Sequence, residues 1–119
     1  MLATLKNAAI AAIMFGFATT PAWSAQLIMI DSKGCAHCAR WDREIGAQYS
    51  NSTLGKIAPL RRVDARGKWP SELKGVGRDY FTPTFVLMDG GKEIGRIRGY
   101  TGKDWFWKHL LRFATPITG

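Results

Sequence analysis

The two cysteines of the chain, Cys35 and Cys38, lie three positions apart and follow a short apolar run, Leu27 to Ile30. A continuous apolar run of this length is typical of a strand that is buried on both faces. The residues after Cys35 predict one amphipathic helix, because large side chains recur there every three or four positions. The predicted buried face of this helix consists of Cys38, Trp41, Ile45, Gln48 and Tyr49. The cysteine pair is therefore expected where a buried strand passes into a helix.

A pair of cysteines at this spacing has three possible uses: a crosslink, a metal site or a reactive dithiol. A crosslink that closes about four residues contributes roughly 2 kcal/mol, less than half the contribution from a loop of about 100 residues. A closed zinc site needs four ligands, and the chain offers only His37 and the remote His109 as histidines. We favour the reactive dithiol and expect no metal and no other cofactor, with the crosslink and the metal site as alternatives.

The position of Cys35 at the start of a helix favours its thiolate, because the exposed amide groups and the helix dipole stabilise an anion there. The thiolate is the nucleophilic form of cysteine, so Cys35 is predicted to attack a partner disulfide. Cys38, one turn later and more shielded, is predicted to resolve the mixed disulfide. His37 lies between them and is interpreted as a tuning group that supplies a hydrogen-bond donor or a positive charge to Cys35; an ordinary surface histidine is the alternative.

The first 24 residues have the layout of a secretory signal peptide. One lysine, Lys6, precedes an uncharged run from Ala8 to Ala18, and small residues follow it. The run has 11 residues, against roughly 20 for a helix that crosses a bilayer. We expect residues 1–24 to be a cleaved signal peptide, with an uncleaved anchor as the alternative, and residues 25–119 to form one domain. Export to the periplasm would place the cysteines in an oxidising compartment.

The chain is basic, with a formal net charge of +8 that falls to +7 without the leader, since Lys6 is the only charged residue there. A surface of this charge attracts acidic partners. The basic residues are scattered, and the densest group is interpreted as a solvated edge strand and loop: Arg61, Arg62, Arg66 and Lys68. Nucleic acid is therefore not expected as a partner, whereas an acidic exported protein is.

The rest of the chain predicts three more strands and two more helices. Strands are expected at 60–64, at the apolar run 84–88 and, after the Asp-Gly-Gly turn, at 92–98. The last of these is irregular at Gly95, which is interpreted as a bulge or an edge. Helices are expected at 70–76 and from a capping box at Thr101 and Asp104 up to Pro116. The resulting order is strand, helix, strand, helix, hairpin, helix.

From Gln26 to Phe113 the sequence resembles the thioredoxin superfamily. The resemblance is carried by Cys-Ala-His-Cys at 35–38 after a strand, by Thr-Pro-Thr at 82–84 opening another, by the Asp-Gly-Gly turn, by the glycine after the last strand and by the terminal helix. It implies an α/β thioredoxin-like fold with a four-stranded mixed sheet flanked by helices. It also implies that Pro83 forms a cis peptide bond beside the cysteines and that the backbone of Thr82 binds a substrate strand.

The sequence departs from thioredoxins proper around the cysteines. Gly34 replaces their tryptophan, Ala36 and His37 replace Gly-Pro, and Met29 replaces their buried acid. Asp31 is nearer to the motif and is interpreted as a solvated or capping group, with a proton relay as the alternative. The exported single-domain form with this loop resembles the periplasmic thioredoxins that accompany bacterial sulfur oxidation and keep its sulfur-carrier protein active.

These features predict a periplasmic, monomeric thiol-disulfide oxidoreductase that reduces exported partners and receives electrons from a membrane thiol donor. One alternative runs the same chemistry backwards, as an oxidant or isomerase of periplasmic disulfides. A second alternative is a non-catalytic binding module that holds a partner in the groove beside Pro83 with Trp41, Trp69 and Tyr80. These three aromatic residues are otherwise expected to belong to the core or to its rim.

Overall fold

The two continuous apolar runs of the sequence form the central strands of one sheet. The computed structural model describes residues 25–119, so the predicted leader, residues 1–24, lies outside the described residues. The strands are β1 (Ala25–Asp31), β2 (Leu60–Asp64), β3 (Thr84–Asp89) and β4 (Lys92–Arg98). Their order is β2-β1-β3-β4, in which β1 is parallel to β2 and antiparallel to β3, and β4 is antiparallel to β3. This mixed sheet confirms the predicted fold class.

The helix predicted after Cys35 is divided into three segments: α1 (Ala36–Trp41), a π-helical turn (Asp42–Gly46) and α2 (Ala47–Asn51). A π turn has longer hydrogen-bonded rings than an α turn, so side chains four positions apart stay on one face. Trp41, Ile45 and Tyr49 are spaced in this way and are fully buried. Gln48, which was predicted to share that face, is exposed. A short helix α3 (Thr53–Ile57) follows, with the side chain of Ser52 as its cap.

The second predicted helix is reduced to a 3-10 turn, Ser71–Leu73. Two glycines, Gly75 and Gly77, follow it closely, and glycine is unfavourable inside a helix. The fold therefore crosses from β2 to β3 through a loop rather than through a helix. This loop still contributes Leu73 and Val76 to the core.

The last helix, α4 (Lys103–Thr118), differs from the prediction at both ends. Gly102 precedes it without a side-chain cap, so the predicted capping box does not form. The helix also continues through Pro116, which lacks the amide group that would donate to the carbonyl of Arg112. The hydroxyl group of Thr115 donates to that carbonyl instead, at 3.1 Å. Within residues 25–119, no helix has the length and apolarity that would span a membrane.

Alternate residues of β1 enter two separate apolar clusters, one on each face of the sheet. Leu27 and Met29 face the cluster under α1 and α4, where Trp41 lies 5.2 Å from Phe85 and 5.7 Å from Phe106 between ring centroids. The other face carries a smaller cluster with Ile28, Ile30, Val63, Leu73, Val86 and Met88. Full burial of each large side chain contributes about 1.5–3 kcal/mol, so β1 anchors both layers.

Strands β2 and β4 form the two edges of the sheet, and both carry charged side chains, such as Arg61 and Lys92. Leu87 pairs with Gly95 while Met88 pairs with Glu93, which leaves Ile94 as an extra residue in β4. The irregularity predicted at Gly95 is therefore both a bulge and part of an edge strand. The side chain of Phe113 from α4 occupies the space where a β-carbon on Gly95 would lie.

We expect Gly95→Ala to destabilise the protein, because the added methyl group overlaps the ring and the β-carbon of Phe113. The loss in the free energy of unfolding should be about 1–3 kcal/mol, measured by urea denaturation. Gly75→Ala is the matched control, since a methyl group there meets only the Gly91 carbonyl at 3.9 Å, and its effect should stay within about 0.5 kcal/mol. Equal stability of the two variants would contradict the packing of α4 on β4.

Candidate redox site

The antiparallel pairing of β1 and β3 brings the cysteine motif and the Thr82-Pro83 segment together. Ile30, near the end of β1, pairs with Thr84 at the start of β3. The chain leaving β1 and the chain entering β3 therefore lie side by side at one end of the sheet. The hydroxyl groups of Ser32 and Thr82 are 3.0 Å apart and join the two loops by a hydrogen bond.

Cys35 and Cys38 form a disulfide with a Cα–Cα distance of 5.2 Å. Cys35 caps the N-terminus of α1, and its sulfur accepts a hydrogen bond from the amide of Cys38 at 3.1 Å. Gly34, with a φ of +74°, makes the turn before it. Cys35 is half-buried, whereas Cys38 is buried in the main core with 4% exposure. The two sulfurs are therefore unequal, since only that of Cys35 is both accessible and held by a helix-terminal amide.

The Thr82-Pro83 peptide bond is cis, which confirms the prediction from the family resemblance. The backbone on both sides of it is fixed. The Pro83 carbonyl accepts from the amide of Gly99 at 2.7 Å, and the hydroxyl of Thr84 donates to the carbonyl of Phe81 at 2.5 Å. Thr82 and Pro83 thus lie next to the loop that leads from β1 to Cys35.

His37 is exposed and lines a groove that also contains Thr82. This groove has a volume of about 150 Å³ and is lined by His37, Phe81, Thr82, Arg98, Gly99, Tyr100 and Thr101. The hydroxyl of Tyr100 donates to Glu44 at 2.6 Å, and the Arg40 guanidinium pairs with the same carboxylate at 3.1 Å. These contacts tie the helical segment that follows the cysteines to the wall of the groove.

A second cavity, of about 400 Å³, borders the disulfide directly, with Cys35, Cys38, Asp31, Asp42 and Arg62 among its lining residues. Arg62 binds both carboxylates, at 2.6 Å from Asp31 and 2.6 Å from Asp42. The hydrogen bonds that Arg62 donates to Asp42 and, to a smaller extent, to Asp31 raise the pKa of this guanidinium. Asp31 is thus an ion-paired residue that shares a cavity with Cys38, and it caps none of the helices within residues 25–119.

The three aromatic residues considered as partner anchors lie in three different environments. Trp41 is fully buried beneath the cysteine helix. Trp69 is half-buried against the smaller cluster and donates its indole hydrogen to the carbonyl of Asp64 at 2.7 Å. Tyr80 is 63% exposed, and it lies two residues before the cis peptide bond. Only Tyr80 is therefore placed at the surface beside the site.

Several residues of the site were not predicted from the sequence. Asp79 accepts hydrogen bonds from the Nε and Nη2 atoms of Arg98, at 2.7 and 3.2 Å, and from the amide of Phe81 at 3.0 Å. The Arg98 guanidinium lies over the Phe81 ring, 4.9 Å from its centroid. The hydrogen bonds from Arg98, assisted by the amide of Phe81 and the charges of Arg98 and Arg96, lower the pKa of the Asp79 carboxyl. An aspartate two positions before an aromatic residue is the only sequence signal for this turn.

No three His, Cys, Asp or Glu side chains of residues 25–119 come close enough together to hold a metal ion. The chemistry that the described residues offer is that of the two sulfurs, because the disulfide closes between a half-buried and a buried cysteine beside the hydrogen-bonded segment of Thr82 and Pro83. This combination of fold and site defines a thiol-disulfide oxidoreductase.

Comparison with known proteins assigns the family. The crystal structure of the periplasmic thioredoxin SoxS from Paracoccus pantotrophus, in its reduced form, is 45% identical to this chain and superposes with a TM-score of 0.70. The match covers 75% of this chain and 94% of that one. No protein-family model matches the chain, and no curated protein does. The chain belongs to the thioredoxin superfamily and resembles its sulfur-oxidation members, as the sequence predicts.

We expect Asp79→Asn to destabilise the protein at pH 7 by about 1 kcal/mol, since the neutral amide loses its charge-assisted hydrogen bonds to Arg98. The folded-state pKa of Asp79 is lowered, so its contribution is complete above the unfolded pKa and is lost as the pH falls through the folded pKa. Urea denaturation should therefore show a difference from the parent that shrinks from about pH 4 downward. An equal difference at pH 7 and pH 2 would contradict the ion pair.

Asp104→Asn is the control for this measurement. Asp104 is exposed and forms no ion pair within residues 25–119. Its replacement should change the free energy of unfolding by no more than about 0.5 kcal/mol at pH 7.

Proposed function

We propose that the protein works in the periplasm and reduces disulfide bonds of exported partner proteins. The observation that carries this proposal is the asymmetry of the Cys35–Cys38 disulfide. The sulfur of Cys35 receives the amide hydrogen bond and is open to a partner, whereas Cys38 is buried. Similarity to a periplasmic thioredoxin supports the proposed compartment. A cleaved signal peptide at residues 1–24, as we also propose, would direct the protein to the same compartment.

The proposed reaction is a two-electron thiol-disulfide exchange. The thiolate of Cys35 attacks one sulfur of the partner disulfide, so a mixed disulfide forms and the second partner sulfur leaves as a thiolate. Cys38, after loss of its proton, attacks the sulfur of Cys35, which releases the first partner sulfur and closes the 35–38 disulfide. The partner gains two electrons and two protons as a dithiol, and the protein is left oxidised.

The cis-proline loop supplies the proposed binding position for the partner. Thr82 is half-buried beside the cysteine loop and hydrogen-bonded to Ser32, and we propose that its backbone pairs with an extended segment of the partner. His37, exposed two residues after Cys35, is the proposed tuning group for the Cys35 thiolate. Each turnover consumes two electrons, and we propose a membrane dithiol protein as the donor.

We further propose that the partner is a sulfur-carrier protein of bacterial sulfur oxidation whose reactive cysteine must be kept out of disulfides. Two features of the chain support this part of the proposal: its predicted exported single-domain form and its cysteine loop. Both resemble those of the thioredoxins that accompany sulfur oxidation. The similarity to the Paracoccus protein over nearly its whole length supports it as well.

We expect Cys38→Ser to accumulate a covalent complex with the partner, because the mixed disulfide on Cys35 then has no resolving thiol. Non-reducing electrophoresis of the periplasmic fraction should show this complex, and dithiothreitol should dissolve it. Cys35→Ser is the matched control and should form little complex, since the buried sulfur of Cys38 is not accessible.

Activity in Cys35→Ser equal to that of the parent would contradict the assignment of the nucleophile. The mass of the protein released from the complex also tests the leader, because cleavage as proposed leaves a chain that begins at Ala25. Recovery of the uncleaved mass would favour the anchored alternative.

We expect the reduction potential of the Cys35–Cys38 pair to lie near the roughly −270 mV of thioredoxin. Equilibration of residues 25–119 with glutathione buffers measures it. His37→Ala should shift the potential to a more negative value, because the imidazole no longer stabilises the Cys35 thiolate of the reduced form. A parent value between about −120 and −180 mV would instead assign the protein to the oxidants and isomerases.

A further inference from the structure

Two aromatic side chains beside the redox site face solvent. Tyr80 is 63% exposed and Phe81 is 52% exposed, more than any other aromatic side chain among the described residues. They directly precede Thr82 and the cis peptide bond. Large exposed aromatic residues that lie next to a binding site are common anchors for partner proteins.

The turn that carries these two rings is fixed in place. The amide of Phe81 donates to Asp79 at 3.0 Å, and its carbonyl accepts from the hydroxyl of Thr84. Gly99, with a φ of +92°, lies under the Phe81 ring, where a β-carbon would come within 3.1 Å of the ring. Because these contacts hold Phe81 in place, a partner that binds its ring causes little additional loss of conformational entropy.

An arginine lies over each exposed ring. The guanidinium of Arg98 is 4.9 Å from the Phe81 centroid, and that of Arg66 is 5.6 Å from the Tyr80 centroid. Arg98 uses Nε and Nη2 on Asp79, and its side chain remains 58% exposed. Arg66 forms no ion pair with any carboxylate of residues 25–119.

A guanidinium that stacks on a ring keeps its N–H groups at the edge, where they match the two oxygens of a carboxylate. Phe81 and Arg98 also line the groove that contains His37 and Thr82. A partner strand that lies along Thr82 would therefore pass beside Arg98, and a strand that extends to Tyr80 would also reach Arg66. The +7 charge of residues 25–119 acts in the same direction and favours an acidic partner over a basic one.

We propose that Arg66, Tyr80, Phe81 and Arg98 form a specificity surface, the arginine-aromatic rim. The rim binds an extended segment of the partner protein that carries a carboxylate side chain close in sequence to the disulfide cysteine. The rings contact the backbone and the apolar stems of the segment, and the guanidinium groups bind the carboxylate. This inference rests on the proposed function and names the class of partner that the redox site serves.

The test uses synthetic peptides that contain one internal disulfide and differ only at two positions beside the cysteine, which hold Glu, Gln or Lys. Fully reduced protein in excess reduces each peptide in a single turnover, followed by stopped-flow tryptophan fluorescence. Each rate is divided by the rate of reduction by dithiothreitol, which removes differences in the intrinsic reactivity of the disulfides. At low ionic strength the Glu peptide should react roughly three to ten times faster than the Gln peptide, and the Lys peptide more slowly than both.

The variants Arg66→Gln and Arg98→Gln should each reduce the preference for the Glu peptide, and together they should bring the rate ratio close to one. Arg66→Gln is informative on its own, because Arg66 does not take part in the Asp79 contacts that fix the turn. Arg112→Gln is the matched control, since Arg112 is an exposed arginine of α4 outside the rim. This variant should keep the full preference.

The other outcomes contradict either the rim or the proposed function. Equal rates for the Glu and Gln peptides, with both reduced, overturn the rim and leave the proposed function in place. A loss of preference in Arg112→Gln equal to that in Arg66→Gln shows a general charge effect and also overturns the rim. Failure to reduce any of the three peptides overturns the proposed function itself.

Discussion

The antiparallel pairing of β1 with β3 is the contact on which the redox site depends. It sets Ile30 opposite Thr84, so that the loop leading to Cys35 and the loop containing Pro83 are neighbours although they are far apart in the chain. The pairing is held by apolar residues on both faces of the sheet. A shift of the register by one residue would turn those residues to the wrong faces and would separate the two loops. The geometry of the redox site therefore depends on the packing of the core.

The same strand end also makes the two cysteines chemically different. β1 stops at Asp31, the chain turns at Gly34, and the helical segment begins with Cys35 as its cap. One turn further on, Cys38 faces the core beneath the helix, near Trp41. Because accessibility and amide contacts differ along a single helical turn, a four-residue motif contains both an outward sulfur and an enclosed one.

Strong local signals account for what the sequence predicted correctly. The apolar runs at Leu27 and Phe85 form the central strands, and the cysteine motif together with Thr82 and Pro83 identified the family and its cis bond. Two predictions failed because the local backbone departs from the regular helical pattern, and other residues were missed because their contacts are distant in sequence. Gln48 leaves the buried face because a π turn changes the period, and helix α4 passes Pro116 because Thr115 replaces a lost hydrogen bond. The contacts of Asp79 with Arg96 and Arg98 join segments that only the fold brings together, so no local pattern indicates them.

The sheet of residues 25–119 ends in two edge strands, β2 and β4. β2 and β4 carry charged side chains along their length, and β4 is further interrupted by a bulge. Such edges resist pairing with additional strands. An unprotected edge strand is the usual starting point for strand-by-strand aggregation. The charged, irregular edges limit that hazard on both sides of the sheet, whereas Thr82 precedes the central strand β3 and lies away from both edges.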